Sequence, residues 1–146
     1  MSGVTSSTMN RPYLLDTCAV IWISQNECFA APATDAITLC RLGGVPIYIS
    51  SATAWEMAML VARGRIHEKD DAKLWYDDFR RDGKFSEQAV TADIFTASCR
   101  LPQPIHKDPI DRIIIATARQ HDLTIITRDR AILDYGAAGH VRTLAC

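Results

Sequence analysis

Short apolar runs alternate with longer helical patterns along nearly the whole of this chain. Runs typical of buried strands occupy 13–16 ("YLLD"), 45–50 ("VPIYIS"), 123–127 ("LTIIT") and 141–144 ("VRTL"). A short extended piece is expected over 85–90, and helical patterns cover 18–25, 31–42, 53–64, 71–81, 91–101, 109–122 and 130–136. This alternation predicts an α/β fold in which helices cover both faces of a mostly parallel sheet.

The composition is that of an ordinary globular domain. The 146 residues suit one domain with a substantial core, and 48% are hydrophobic against 23% charged. We expect residues 1–11, mostly small and polar, to form a flexible N-terminal tail, and 12–146 to form a single domain. No stretch approaches the ~20 apolar residues of a membrane span, and the tail lacks the apolar run of a signal peptide. A cytoplasmic protein without membrane contact is therefore expected.

Net charge and cysteine content limit the kinds of partner and metal site that the chain can have. The formal net charge is −1, so a nucleic-acid partner would need a local basic patch or a metal. The five cysteines are odd in number and form no C-x-x-C pair, which excludes a zinc ribbon and a disulfide framework. Buried or idle thiols in a reducing cytosol are expected.

The stretch "HKDPIDR" (106–112) places two acids around a proline at the start of a helical pattern. Helix chemistry alone predicts Asp108 as the N-cap, Pro109 at N1, where its missing N–H costs nothing, and Asp111 at N3, where the helix dipole favours a carboxylate. Local structure can therefore explain both acids without a catalytic role.

Three further acids have equally local explanations. Asp16 ends the first strand and Asp129 lies two residues beyond "LTIIT", so each is a predicted N-cap of the helix that follows. Glu56 comes three residues after Thr53, and this T-x-x-E spacing predicts a capping box.

Taken together, four of these acids point to one edge of the predicted sheet: Asp16, Glu56, Asp111 and Asp129. Helices that connect parallel strands run back across the sheet, so strand ends and helix starts share the edge where sites form. The topology leaves open whether the acids converge there or spread along it. Two carboxylates about 5 Å apart repel by roughly 3 kcal/mol at an effective dielectric of about 20, which protonation or a hard divalent cation relieves. Oxygen ligands without paired His or Cys favour Mg²⁺ or Mn²⁺, and such a site activates water for phosphodiester hydrolysis.

Basic residues concentrate around two of these acids. Residues 100–130 carry six Lys or Arg and four Asp, a local charge of +2. Four of the basic residues are candidates for holding phosphates: Lys107, Arg112, Arg128 and Arg130. A solvated charged edge explains the same residues equally well.

Other site types do not match the sequence. A dehalogenase-like aspartyl phosphatase needs a second Asp two residues after Asp16, where Cys18 stands, and a receiver domain needs an Asp where "VPIYISSAT" offers only hydroxyls. Neither a Walker motif nor a G-x-S-x-G elbow occurs. Of four scattered histidines, His106 alone adjoins the acids.

Four segments, taken in order, resemble a PIN-domain ribonuclease of the VapC toxin type. They are "YLLDTCAVIW", "ISSATAWEMAMLVARGRI", "HKDPIDRIIIATARQHDLTIITRD" and "DYGAAGHVRTL". The similarity covers roughly Tyr13 to Leu144, and the four motifs in this order are specific although each alone is modest. The resemblance implies a PIN-like three-layer α/β/α sandwich that uses Mg²⁺ or Mn²⁺ to cut RNA, forms a homodimer and is silenced by a cognate antitoxin protein.

The resemblance also implies roles for individual residues. The catalytic, metal-holding acids would be Asp16 of "LLDT", Glu56 of "AWE", Asp111 of "PIDR" and Asp129 of "TRD". Thr17 and Thr127 would be close polar neighbours of the metal, and Asp108 a cap or outer acid. Two departures from the family pattern, Cys18 in place of His or a small polar residue and Ile110 in place of Phe, remove no carboxylate.

The sequence hypothesis is a metal-dependent endoribonuclease that acts as the toxin of a type II toxin–antitoxin pair. Two alternatives stay open: a PIN-fold nuclease of RNA processing, and a catalytically silent module that binds RNA or protein. Retention of all four acids argues against the silent module. Six apolar residues could form either the core or a surface for a dimer or antitoxin. Their helical spacing favours the core: Trp22, Trp55, Met57, Met59, Trp75 and Tyr76.

Overall fold

A five-stranded parallel sheet forms the centre of the molecule. The computed structural model describes residues 11–66, 71–104 and 107–146. Its strands are β1 (Tyr13–Leu15), β2 (Ile47–Ser50), β3 (Ser86–Gln88), β4 (Thr124–Thr127) and β5 (Arg142–Ala145). Its helices are α1 (Thr17–Ser24), α2 (Ala31–Gly43), α3 (Ser51–Ala62), α4 (Ala72–Gly83), α5 (Ala92–Ser98), α6 (Pro109–His121) and α7 (Arg130–Ala137). The order across the sheet is β3-β2-β1-β4-β5, and every neighbouring pair is parallel.

The central strand β1 supplies side chains to two separate cores. Successive residues of a strand point to opposite faces of the sheet. Leu14 accordingly packs among residues of α5, α6 and α7, whereas Leu15 packs among residues of α1, α2 and α4, and both are fully buried. Helix α3 contributes to both cores through Ala52 and Met57. The predicted three-layer α/β/α sandwich is confirmed.

Helix α6 is anchored in the core and capped where the sequence predicts. Residues 113–118 are all buried, and Thr117 satisfies its hydroxyl by donating to Ile113 O at 2.7 Å. Asp108 is the N-cap, Pro109 occupies the first position, and Asp122 ends the helix in the left-handed region with φ of 57°. These contacts fix the first turn, and with it Asp111, against the sheet.

The start of α3 corrects one prediction. Ser50, the last residue of β2, is the N-cap, and its hydroxyl oxygen accepts a hydrogen bond from Ala52 N at 3.0 Å. The helix therefore begins two residues earlier than predicted, and the capping box of Thr53 and Glu56 is wrong. Thr53 is buried in the first turn, and Glu56 lies in the second turn.

Other predictions differ in smaller ways. Helix α5 ends at Ser98 instead of residue 101, and all five cysteines are free although only Cys40 is buried. In the residues that the structure describes, no helix combines the length and apolarity needed to cross a membrane. The expected tail lies outside the described residues except for Arg11, and so does His106.

Candidate active site

The four predicted acids all belong to the carboxyl edge of the sheet. Asp16 directly follows β1, and Asp129 comes two residues after β4. Asp111 is the third residue of α6, and Glu56 is the sixth residue of α3, which starts where β2 ends. The charges of Glu56 and Asp129 raise the pKa of both Asp16 and Asp111, so both of these acids lie within electrostatic reach of Glu56 and Asp129.

Asp16 is the most enclosed of these acids, with only 2% of its surface exposed. Its Oδ1 accepts a hydrogen bond from Ala19 N at 2.8 Å, and its Oδ2 accepts one from the Thr127 hydroxyl. Burial raises the pKa of Asp16 to about 6; the two hydrogen bonds lower it, and the charges of Asp129 and Glu56 raise it. A carboxylate in this position favours a cation as its neighbour.

Asp111 has a strongly raised pKa. Burial is the main cause, and the charges of Asp108, Asp129, Glu56 and Asp16 add to it, bringing the pKa to about 8. Near neutral pH this acid is therefore protonated unless a positive charge is placed beside it. A divalent cation at the site would reverse that preference.

Glu56 carries an unsatisfied buried oxygen. In the described part of the chain, its Oε1 is buried and has no hydrogen-bond partner. Burial raises the pKa of Glu56, hydrogen bonding by Thr17 lowers it, and the charge of Asp108 raises it. The hydroxyl of Thr17 also lies 3.1 Å from that of Thr53. A buried polar atom without a partner costs roughly 1–3 kcal/mol, so Oε1 is suited to an additional ligand.

Thr127 connects two of the acids. Its hydroxyl donates to Asp16 and accepts from Asp129 N at 2.9 Å. Asp129 Oδ1 accepts from Ile132 N at 3.0 Å, which confirms Asp129 as the N-cap of α7. One buried hydroxyl thus contacts both the side chain of Asp16 and the backbone of Asp129.

Asp108 acts as a cap and also adds charge to the site. Its Oδ1 accepts from Ile110 N at 2.8 Å and from Asp111 N at 3.1 Å. Its negative charge raises the pKa of Asp111 and of Glu56. The start of α6 therefore supplies both its own N-cap, Asp108, and one acid of the site, Asp111.

The donor set fits a hard divalent cation such as Mg²⁺ or Mn²⁺. The candidate ligands are carboxylate oxygens, the unsatisfied Oε1 of Glu56 is one of them, and burial together with neighbouring acids raises the pKa values of Asp16 and Asp111. As the side chains stand, no three His, Cys, Asp or Glu within 11–66, 71–104 and 107–146 are gathered closely enough to hold a metal ion. The acids would therefore have to draw together around a cation.

The four candidate RNA-binding residues have different surroundings. Lys107 and Arg130 are exposed, and Arg112 is half-buried. The guanidinium of Arg128 instead lies 3.6 Å from the centre of the Trp22 ring. It also donates to Cys146 O at 2.8 Å through Nε and to Cys28 O through Nη2.

Two features of this region are not predicted by local sequence patterns. The stacking of Arg128 on Trp22 joins residues 106 positions apart, and no local pattern marks such a contact. Trp55, for which the sequence favours the core, is 55% exposed beside Glu56, whereas Met57, Trp75 and Tyr76 are buried as predicted. Helical spacing alone did not distinguish the buried aromatic residues from the exposed one.

A large surface cavity lies at the opposite edge of the sheet. Its volume is about 710 Å³, and its walls include the starts of β4 and β5. Two of its charged residues are already paired, because Arg142 Nη2 lies 2.6 Å from Asp122 Oδ1. This cavity is therefore separate from the acidic edge and lacks its carboxylates.

Comparison with known families identifies the fold. Residues 13–138 match the PIN domain family, so the chain belongs to that family, which is one of nucleases. The four sequence motifs predicted this membership.

Solved structures share the same architecture. A chain of the VapBC2 complex from Rickettsia felis, bound to a promoter DNA fragment, superposes with a TM-score of 0.70 at 15% identity, covering 92% of this chain and 98% of that one. A chain of a toxin–antitoxin complex from Klebsiella pneumoniae gives 0.56 at 22% identity, with 90% and 95% covered. A chain of FitAcB from Neisseria gonorrhoeae gives 0.51 at 22% identity, with 90% and 96% covered. At these identities the likeness concerns the fold. No curated protein matches this chain at the level of sequence.

Proposed function

We propose that this protein is a metal-dependent endoribonuclease and the toxin of a type II toxin–antitoxin pair. The observation that carries the proposal is the set of coupled carboxylates Asp16, Glu56, Asp111 and Asp129 at the carboxyl edge of a PIN-domain sheet. The raised pKa values of Asp16, Glu56 and Asp111 and the unpartnered Glu56 Oε1 support a site that takes a divalent cation.

In the proposed mechanism, these four acids would hold one or two Mg²⁺ or Mn²⁺ ions. The bound metal would supply Lewis acidity and a more acidic water at the phosphodiester. Thr127 holds Asp16 in place, and one of the four acids accepts the proton of the attacking water. The exposed cations of Lys107 and Arg130 suit RNA phosphates on either side of the scissile bond.

The proposed partners are an RNA substrate, a cognate antitoxin protein and a second copy of the chain, in the cytoplasm. Structures similar in fold come from toxin–antitoxin complexes, which supports the antitoxin. Exposed leucines on α2, Leu39 at 68% and Leu42 at 80%, supply apolar surface for a protein contact. Light scattering of the isolated chain and of the chain co-expressed with its neighbouring gene tests these two assemblies.

The central experiment compares cleavage of a fluorescent single-stranded RNA by the wild type and by Asp16→Asn, with Mn²⁺, Mg²⁺ or EDTA. Asparagine keeps the Oδ1 that caps α1, so the variant should fold, but it lacks the negative charge. We expect Asp16→Asn to cleave the RNA at least about 100-fold more slowly than the wild type. Expression of the variant should not arrest growth, whereas expression of the wild type should. Asp93→Asn, which changes an exposed first-turn acid of α5, is the matched control and should be fully active.

The outcomes separate the parts of this proposal. Absence of RNA cleavage by the folded wild type with either metal would reject the nuclease. Full activity of Asp16→Asn would reject the site while keeping the activity. Cleavage without growth arrest, and without an antitoxin-like partner gene next to it, would favour a PIN nuclease of RNA processing.

A further inference from the structure

A groove leads away from the acidic site between α3 and the start of α6. Its volume is about 320 Å³, and Glu56 and Asp108 form part of its wall. The rest of the lining includes Trp55 and Met59 of α3 and Arg63, the residue that follows the helix. The groove is therefore continuous with the proposed active site and differs from it in chemistry.

Trp55 gives this groove a flat apolar face. The neighbouring residues Thr53 and Met57 are fully buried, whereas Trp55 is 55% exposed. Met59 lies one helical turn further along the same side of α3. An exposed indole directly before Glu56 offers a stacking surface for a planar heterocycle.

Arg63 supplies positive charge at the far end of the groove. It lies eight residues after Trp55, which is about 12 Å along a helix. Arg63 is exposed, and no ion pair engages it among the residues that the structure describes. An arginine fork suits a phosphate. Arg63 is therefore a phosphate contact in a groove whose other charged residues, Glu56 and Asp108, lie at the proposed metal site.

We propose that this groove is a nucleobase subsite, in which a base next to the cleaved phosphodiester stacks on Trp55 and a phosphate further along the strand pairs with Arg63. The inference rests on the proposed ribonuclease function and identifies how that site holds single-stranded RNA. Stacking on indole tolerates every base, so the subsite contributes affinity and position along the strand more than sequence choice.

The test measures the affinity of a fluorescein-labelled 12-nucleotide RNA by anisotropy in EDTA, where metal-dependent cleavage cannot occur. We expect Trp55→Ala to raise Kd about tenfold, Trp55→Phe to raise it less than about threefold, and Arg63→Ala to weaken binding mainly at low salt. Phe95→Ala removes an aromatic residue of α5 that is 51% exposed, and as the matched control it should leave Kd unchanged. An abasic strand of the same length should bind the wild type and Trp55→Ala equally.

The results distinguish this inference from the proposed function. Cleavage by the wild type combined with an unchanged Kd for Trp55→Ala overturns the subsite but keeps the nuclease. Binding that depends on Trp55 without cleavage under Mg²⁺ or Mn²⁺ keeps the subsite and rejects the nuclease. If Trp55→Ala keeps its RNA affinity but no longer binds the antitoxin, the subsite is overturned and the groove is a binding site for the protein partner. Equal thermal melting of the variants excludes misfolding as the cause.

Discussion

Asp16 and Thr127 stand 111 positions apart in the sequence, and the Thr127 hydroxyl donates a hydrogen bond to Asp16 Oδ2. This bond joins the ends of the paired strands β1 and β4 at the carboxyl edge of the sheet. The same hydroxyl accepts from Asp129 N, so one buried oxygen contacts two of the residues proposed as ligands.

Replacement of that hydroxyl tests its double role. Thr127→Val keeps the shape but leaves Asp16 Oδ2 and Asp129 N with one hydrogen bond fewer each, so we expect a loss of roughly 1–3 kcal/mol in the free energy of unfolding. The pKa of Asp16 should rise further, because the lost bond lowers it, and the acidic limb of the cleavage profile should move to higher pH. Urea unfolding and pH–rate curves measure both effects. Thr117→Val removes an equally buried hydroxyl elsewhere and should destabilise without moving the pH profile; an equal shift in both variants would contradict the assigned role.

The stability of the metal-free protein should fall as pH rises. The folded-state pKa values of Asp16 and Asp111, about 6 and about 8, lie above the ordinary value of 3.8, so the native state favours the protonated acids. Their contribution to stability is full below about pH 4 and is lost as pH rises through the folded-state values, on the order of 3 kcal/mol for Asp16. Urea unfolding in EDTA at several pH values should show this decline, and Mn²⁺ should reduce it. Asp111→Asn cannot ionise and should lack the decline above neutral pH; an unchanged decline in that variant would count against the raised pKa of Asp111.

Local sequence patterns predicted the elements better than the site. Strand and helix alternation identified the parallel sandwich, and Asp16, Asp108 and Asp129 are N-caps as predicted. The T-x-x-E spacing predicts Thr53 as the N-cap and Glu56 in the first turn, but Ser50 competes with Thr53 for the start of the helix. Only the position at which β2 ends decides between the two. The exposure of Trp55 and the stacking of Arg128 on Trp22 depend on tertiary packing, which the spacing of apolar residues does not encode.

Substitutions of Asp108 and Asp111, at the start of α6, should have different effects on stability and on catalysis. Asp108→Ala loses a carboxylate that accepts two backbone N–H groups, which costs about 1 kcal/mol, whereas Asp108→Ser keeps a capping oxygen. We expect Asp108→Ser to preserve most of the cleavage and to lower the pKa of Asp111, because the charge of Asp108 raises it. Asp111→Asn should instead abolish cleavage with a normal melting temperature. Activity of Asp111→Asn at the level of Asp108→Ser would remove Asp111 from the site.

Arg128 should behave as a structural residue more than as a phosphate ligand. Its guanidinium stacks on Trp22 and donates to the carbonyls of Cys28 and Cys146, which joins three parts of the chain next to Asp129. Lysine cannot reproduce a planar stack with two directed donors, so Arg128→Lys should lower the free energy of unfolding by about 1–2 kcal/mol although the charge is kept. Lys107→Ala removes an exposed cation and should raise KM for RNA without any loss of stability. Parallel urea unfolding and cleavage kinetics compare the two variants. A weaker RNA affinity with unchanged stability in Arg128→Lys would return Arg128 to the RNA-binding surface.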